Sequence, residues 1–324
     1  MKIPPKIEIA NIPTPIHAIF YEGFEILIKR DDYTGIEWSG NKIRKLEYII
    51  YDALSKKANV LITCGGVQSN HARATAAIGA RFGLKTILYL RGKEPKSYKG
   101  NLALDKLFDA EINFISAEEY ENIHEIAEKK NNELKKKGFK AVFIPEGASS
   151  PLGIWGYIEC AKELSAQLRN VKNKPNHIVT AVGSGGTLAG LLVGTKLFNL
   201  KSKLIGFNVL KTSDDFEKIV FNLATQCIKK YKLNVKISTK DFEIIDGYST
   251  EGYENISQEK LEFLTFVSQD YGIILDPTYT GKAFYGMIDH FIYHENEFNR
   301  LLFIHTGGIF GVFDKIQKYL KAIE

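Results

Sequence analysis

The sequence reads as an α/β protein with two lobes, each a parallel sheet flanked by helices. Three observations lead there. Short apolar runs alternate with amphipathic stretches along the chain. Glycine-bearing turns link a strand end to a helix start at residues 65–71, 183–187 and 305–308. The length, 324 residues, suits two ordinary domains or one large unit with an inserted lobe. Strands alternating with helices give a parallel sheet covered on both faces, and ligands settle at the carboxyl ends of its strands.

Residues 25–29 are a short apolar strand. A helix then runs from Lys42 to about residue 57, its apolar side chains recurring at helical spacing. Residues 60–64 are a strand, followed by the turn Gly65-Gly66-Val67-Gln68-Ser69-Asn70-His71 and an alanine-rich helix to about residue 82. A strand at 86–90, a helix at 101–108 and a strand at 112–115 follow. One charged helix covers 118–137 and stops at Gly138, the residue type that best closes a helix. A strand at 141–144 is closed by Pro145-Glu146-Gly147.

The second series opens with a helix at 153–168. The strand at 177–182 runs into Gly183-Ser184-Gly185-Gly186-Thr187 and a helix, and 203–209 is the next strand. Helices cover 214–231, 257–269 and 281–293. The strand at 301–305 leads through His305-Thr306-Gly307-Gly308 to a C-terminal helix.

The composition narrows the function. The net charge is +5, but the basic residues are scattered: Lys56-Lys57, Lys129-Lys130 and Lys135-Lys136-Lys137 suit solvated helix ends, and no nucleic-acid groove is implied. The three cysteines have no metal or redox spacing, so no metal is expected and a reduced, cytoplasmic setting fits. No run is apolar over a bilayer's thickness, and the N-terminus lacks the apolar core of a signal peptide.

Lys42 stands out. On a helix starting there, Leu46, Ile49 and Ala53 lie within about 40° of it and Arg44 falls opposite. A lysine on the buried face loses hydration and its pKa falls, which makes it a nucleophile or a Schiff-base donor. The plainer alternative is a stem laid on apolar surface with its charge in water.

Residues Gly183, Ser184, Gly185, Gly186 and Thr187 suit a phosphate cup: glycine lets main-chain N–H groups close round an anion, two hydroxyls add donors, and the helix dipole helps. A tight structural turn is the alternative. The Lys-Ser/Thr pair of a nucleotide-triphosphate loop is missing, as are the third glycine and the ribose acid of a dinucleotide site, so a cofactor with one phosphate fits better. Gln68, Ser69, Asn70 and His71 put four hydrogen-bonding side chains at one helix start, more than a cap needs, and suit a carboxylate. Tyr279 opens a helix, and its phenol would be an acid or base if its neighbours lowered its pKa. Tyr253 lies in a second tyrosine segment, and the Thr306 loop would line the same cleft.

The motif Ser39-Gly40-Asn41-Lys42-Ile43-Arg44-Lys45-Leu46-Glu47-Tyr48, with Gly65 to His71, resembles the D-cysteine desulfhydrase and 1-aminocyclopropane-1-carboxylate deaminase family. These are pyridoxal 5'-phosphate enzymes of the tryptophan-synthase β fold (fold type II). The resemblance runs from Pro13-Thr14-Pro15 to Gly308. It implies that Lys42 is the Schiff-base lysine and moves protons, and that Asn70 bonds the cofactor's phenolate oxygen. Lys45 and residues 183–187 would hold the phosphate. Ser69, Asn70 and His71 would receive the substrate carboxylate, Ser69 also being the deaminases' nucleophile. Tyr253 and Tyr279 would flank the substrate. It also implies a cytosolic homodimer with a small domain at 48–159 and a large one at 1–47 and 160–324.

Thr280, Thr306 and His71 stand where the deaminases resemble Glu, Leu and Gln, and all three resemble the desulfhydrase branch. Thr280 would face the pyridine nitrogen without a charge. The expected reaction is β-elimination on D-cysteine to pyruvate, hydrogen sulfide and ammonia. The alternatives are the cyclopropane deaminase and an L-cysteate sulfo-lyase.

Overall fold

The computed structural model describes residues 2–210, 212–294 and 300–322. The strands are β1 (Ile16–Tyr21), β2 (Phe24–Lys29), β3 (Val60–Gly66), β4 (Lys85–Arg91), β5 (Glu111–Ile115), β6 (Ala141–Ile144), β7 (His177–Val182), β8 (Lys203–Asn208), β9 (Phe242–Ile245) and β10 (Leu301–Ile304). The helices are α1 (Asn41–Ser55), α2 (Asn70–Arg81), α3 (Gly100–Leu107), α4 (Ala117–Glu121), α5 (Ile123–Lys136), α6 (Trp155–Gln167), α7 (Gly186–Leu197), α8 (Ser213–Tyr231), α9 (Gln258–Tyr271), α10 (Thr280–Ile288), α11 (Ile309–Asp314) and α12 (Ile316–Lys321).

They build two sheets. Six strands in the order β1-β2-β10-β7-β8-β9 form one, four in the order β5-β4-β3-β6 the other. All pairings are parallel except β1 with β2. The larger sheet is buried on both faces, and β10 shows why its strands are apolar throughout. Leu302 and Ile304 pack with Leu164 of α6, Leu191 of α7 and Phe216 of α8. Leu301 and Phe303 face Leu264 of α9 and Phe284 and Met287 of α10. In the smaller sheet Leu61 and Ile144 pack on α1 and α2, while Val60 and Ile62 pack on α5. Cys64, Cys160 and Cys227 are buried, unbridged thiols.

Helix α1 is wedged between the two cores. Ile43, Leu46 and Ile50 join the core under the small sheet, while Tyr48 joins the other and meets the Trp155 ring at 6.4 Å. The helix is therefore buried nearly all round, and Arg44, expected on the side away from the core, is 1% exposed. Its guanidinium forks onto Asp31 at 2.8 Å and Glu163 at 2.6 Å. Tyr157 also donates to Asp31, and Lys29 pairs with Glu163. Burial pushes the Asp31 carboxyl up, but the Arg44 and Lys29 charges outweigh it and hold the group below its ordinary value.

Other expectations needed revision. The single helix over 118–137 is two, because the Asn122 side chain bonds back to the Glu118 carbonyl at 3.3 Å and the backbone leaves helical geometry there. The helix over 281–293 begins at Thr280 and passes into a π-helical turn, Asp289–His294. The C-terminal helix divides at Lys315. Strands β1 and β9 were not anticipated. β1 returns into β2 through Glu22 (φ 48°) and Gly23 (φ 82°), the two left-handed residues of a tight hairpin.

Candidate active site

Six chain segments converge at the carboxyl ends of the strands. They are the start of α1, the turn from β3 into α2, the turn after β6, the loop from β7 into α7, the turn before α10, and the loop after β10. They surround a cavity whose wall includes Lys42, Ser69, Asn70 and His71. Gly183, Ser184, Gly185, Thr187, Tyr279 and Thr306 complete the expected part of it. Tyr253 lies further out, on a second cavity of about 270 Å³.

The Lys42 ammonium donates to Asn41 Oδ1 at 2.8 Å, and Asn41 Nδ2 donates to Thr187 Oγ1 at 2.9 Å. Thr187 accepts there, so its own hydrogen is left for another partner. Burial draws the Lys42 pKa down to about 8; the charges of Glu146 and Asp276 oppose the fall and that of Arg73 adds to it. Lys45, one turn along α1, is fully buried, and its bond to the Gly147 carbonyl is 3.2 Å long. Burial, and then the Lys42 charge, put its pKa well below the ordinary lysine value.

The phosphate cup has the required shape. Gly185 sits at φ 77° and turns the chain into α7. A Cβ on Gly186 would lie 2.8 Å from Lys45 Nζ, so glycine is what lets that ammonium approach the helix start. Ser184 Oγ shares a 2.9 Å hydrogen bond with Ser149. A buried cation with one carbonyl partner, free N–H groups at a helix start and the Ser184 and Thr187 hydroxyls are the donor set of a phosphate monoester. Pyridoxal phosphate fits it, with an amine at Lys42 for its aldehyde.

The residues beyond β3 divide. Ser69 Oγ caps α2 by accepting from the Ala72 amide at 3.2 Å, which leaves its hydrogen for a second partner. His71 is 2% exposed and faces Thr63. The Thr63 hydroxyl gives its one hydrogen to the Ile144 carbonyl at 2.7 Å, so it accepts from His71 Nε2 at 2.8 Å. Nδ1 is then the bare nitrogen, with no hydrogen-bond partner among the described residues. Burial and the two lysine charges hold the ring neutral. As folded, His71 offers the cavity an acceptor, whereas a carboxylate needs a donor. For its ring to donate to the carboxylate, Nδ1 would have to gain a proton, which burial and the two lysine charges oppose.

Tyr253 and Tyr279 meet edge to face at 5.6 Å, with their hydroxyls in a short hydrogen bond. An acid–base part for Tyr279 was conditional on neighbours that lower its pKa. Instead burial pushes both up, Tyr279 well above its ordinary value, so they keep their protons. Thr280 is buried behind the wall: its hydroxyl donates to Asp276 Oδ2 and accepts from the Asp276 amide at 2.8 Å. Two acids, Glu146 and Asp276, line the wall, and the Asp276 oxygens accept from the amides of Thr278, Tyr279 and Thr280 and from that hydroxyl. Asp276 and Glu146 were both overlooked as site residues. In sequence each reads as a turn residue beside a proline.

The family described as pyridoxal-phosphate dependent enzymes matches residues 7–307. A protein of Thermotoga maritima, provisionally named a 1-aminocyclopropane-1-carboxylate deaminase, is 45% identical over 95% of this chain and 97% of its own. The mitochondrial bifunctional D-cysteine desulfhydrase/1-aminocyclopropane-1-carboxylate deaminase of Arabidopsis thaliana is 40% identical over 96% of this chain and 80% of its own. The crystal structure of an ACC deaminase homologue superposes with a TM-score of 0.89 at 39% identity, covering 98% of this chain and 96% of that one. The chain belongs to the pyridoxal-phosphate dependent enzymes, in the family of the 1-aminocyclopropane-1-carboxylate deaminases and D-cysteine desulfhydrases.

Proposed function

We propose that this enzyme carries out β-elimination on D-cysteine, releasing pyruvate, hydrogen sulfide and ammonia. The observation that carries the reading is the state of Asp276, an acid that lines the cavity with Lys42. Asp276 already accepts four hydrogen bonds from its own turn, and Thr280 beside it is neutral. Pyridoxal phosphate, when bound, supplies the electron sink for breaking bonds at the amino acid's α-carbon. An acid so fully engaged gives that sink modest support. A thiolate leaves readily and needs no more, whereas opening a cyclopropane ring does.

The residues divide the work. Lys42 holds the cofactor and, as a free amine, takes the α-proton at Nζ; a pKa near 8 leaves part of it neutral at neutral pH. Lys45, Gly183, Ser184, Gly185, Gly186 and Thr187 hold the phosphate. Asn70 and Ser69 orient the oxygen-bearing groups of cofactor and substrate. Tyr279 and Tyr253 keep their protons; one hydroxyl gives its hydrogen to the other, which leaves one to donate and neither to abstract. The same reading takes residues 48–159 as the small domain and the protein as a cytoplasmic homodimer.

Asp276 also favours a second reading, the cyclopropane deaminase, because it brings a carboxylate to the wall that Thr280 leaves uncharged. One assay separates them. The holoenzyme is incubated with D-cysteine, L-cysteine, L-cysteate and 1-aminocyclopropane-1-carboxylate. Sulfide and pyruvate from D-cysteine are expected. Release of 2-oxobutanoate from the cyclopropane, with no sulfide from D-cysteine, would reverse the order, and sulfite from L-cysteate would point to the sulfo-lyase.

A further inference from the structure

Asn101, on α3, is fully buried, and the orientation of its amide is dictated by its neighbours. Arg73 Nε, which can only donate, bonds Asn101 Oδ1 at 3.1 Å. Asn101 Nδ2 therefore faces the other way. It donates to the Gln68 carbonyl and to Asn70 Oδ1, each at 3.0 Å, which uses both its hydrogens. With its oxygen engaged, Asn70 has only its NH2 group left for the cavity it lines. Arg73 is itself fixed, by the Glu37 and Ser39 carbonyls just ahead of α1 and by the Phe310 ring 5.1 Å away.

We propose that Asn101 is a positioning residue that makes Asn70 present a donor, and not an acceptor, to the cofactor's phenolate oxygen. The inference rests on the reading that Asn70 addresses that oxygen. A reversed Asn70 would set a carbonyl oxygen against an anion in place of a charge-assisted hydrogen bond. The sequence gives no hint of this, since Asn101 reads as an ordinary residue at a helix start.

The test measures pyridoxal phosphate affinity, and the pH midpoint of its visible band, in reconstituted variants. Asn101→Asp keeps an acceptor for Arg73 but turns the group facing Asn70 into an oxygen, so Asn70 has to reverse. Asn101→Ala serves if the aspartate variant does not fold. Asn70→Ala is the reference. We expect Asn70→Ala and Asn101→Asp each to weaken binding by about tenfold to a hundredfold, as for a hydrogen bond to a charged group. The band midpoint should move in the same direction in both. The double variant should be no weaker than Asn70→Ala alone, because the two residues act as one unit. If Asn70→Ala weakens binding while the Asn101 variants stay within about twofold of wild type, the positioning role is wrong and the reading of Asn70 survives. If Asn70→Ala has no effect either, both fall. Equal losses from Asn101→Asp with and without Asn70 would mean general loosening and would also overturn the proposal.

Discussion

Replacing Lys45 by methionine should strengthen the apoprotein and weaken its hold on the cofactor. Lys45 is fully buried, its bond to the Gly147 carbonyl is long, and it shares a helix face with Lys42. Without an anion such a group is a liability, because burial favours its neutral form and the neighbouring ammonium adds to the pressure. Methionine has a similar shape and no charge. We expect the apoprotein to gain about 1–3 kcal/mol, the range seen when buried charges give way to apolar side chains. With the phosphate present the sign inverts. Lys45 then supplies a charge-assisted hydrogen bond worth about 1.5–3 kcal/mol, so affinity should fall by roughly tenfold to a hundredfold. Thermal denaturation of the apoprotein and titration of the visible cofactor band measure the two halves separately. Unchanged affinity would remove Lys45 from the phosphate site. A destabilised apoprotein would show that the ammonium is better solvated than its surroundings allow.

Two further outcomes follow from the same electrostatics. Asp31→Asn should cost about 3–5 kcal/mol in chemical denaturation, because it leaves the buried Arg44 with half its anions and sets an NH2 group against either the Tyr157 or the Thr14 donor. The Asp31 carboxyl is held below its ordinary value of 3.8, so its contribution is complete above that pH and fades on further acidification; the variant's acid limb should be shallower. Lys42 acts in the same direction at a higher pH: its folded pKa lies below its unfolded one, so the unfolded chain binds more protons between about pH 8 and 10.5. Apoprotein stability should rise with pH across that window, and Lys42→Met should flatten the rise. An unchanged slope would mean that Lys42 is not shifted.

The strand–helix alternation was legible because β3, β4, β7, β8 and β10 are apolar on both faces and glycine marks their ends. What stayed hidden depended on partners distant in sequence. β1 reads as a tail until β2 gives it a neighbour. Arg44 reads as a solvent-facing residue until α6 supplies Glu163 and the chain after β2 supplies Asp31. A helix packed between two cores has no outer face, and helical periodicity presumes one. The break at Asn122 is the opposite case, a local side-chain competition lost in a run of good helix formers.

The site divides along the same line. Residues that reach the cavity through a local motif, such as Lys42, Ser69 and the 183–187 turn, were legible because glycine and hydroxyls at a helix start have a chemical reason visible in sequence. Their protonation states were not, since Tyr279 and His71 take theirs from burial and from Lys42, Lys45 and Thr63. Thr280 shows the cost of reading one position alone. Taken singly it says that the wall there is uncharged. Folded, it is the donor that ties the Asp276 carboxylate to the start of α10, and the carboxylate, not the threonine, lines the cavity. Thr280 thus does not leave the wall uncharged: in this chain a carboxylate stands four residues back, surrounded by donors. How strongly a charge so engaged supports the cofactor decides between thiolate departure and ring opening, which is why the product assay weighs more here than the identity of residue 280.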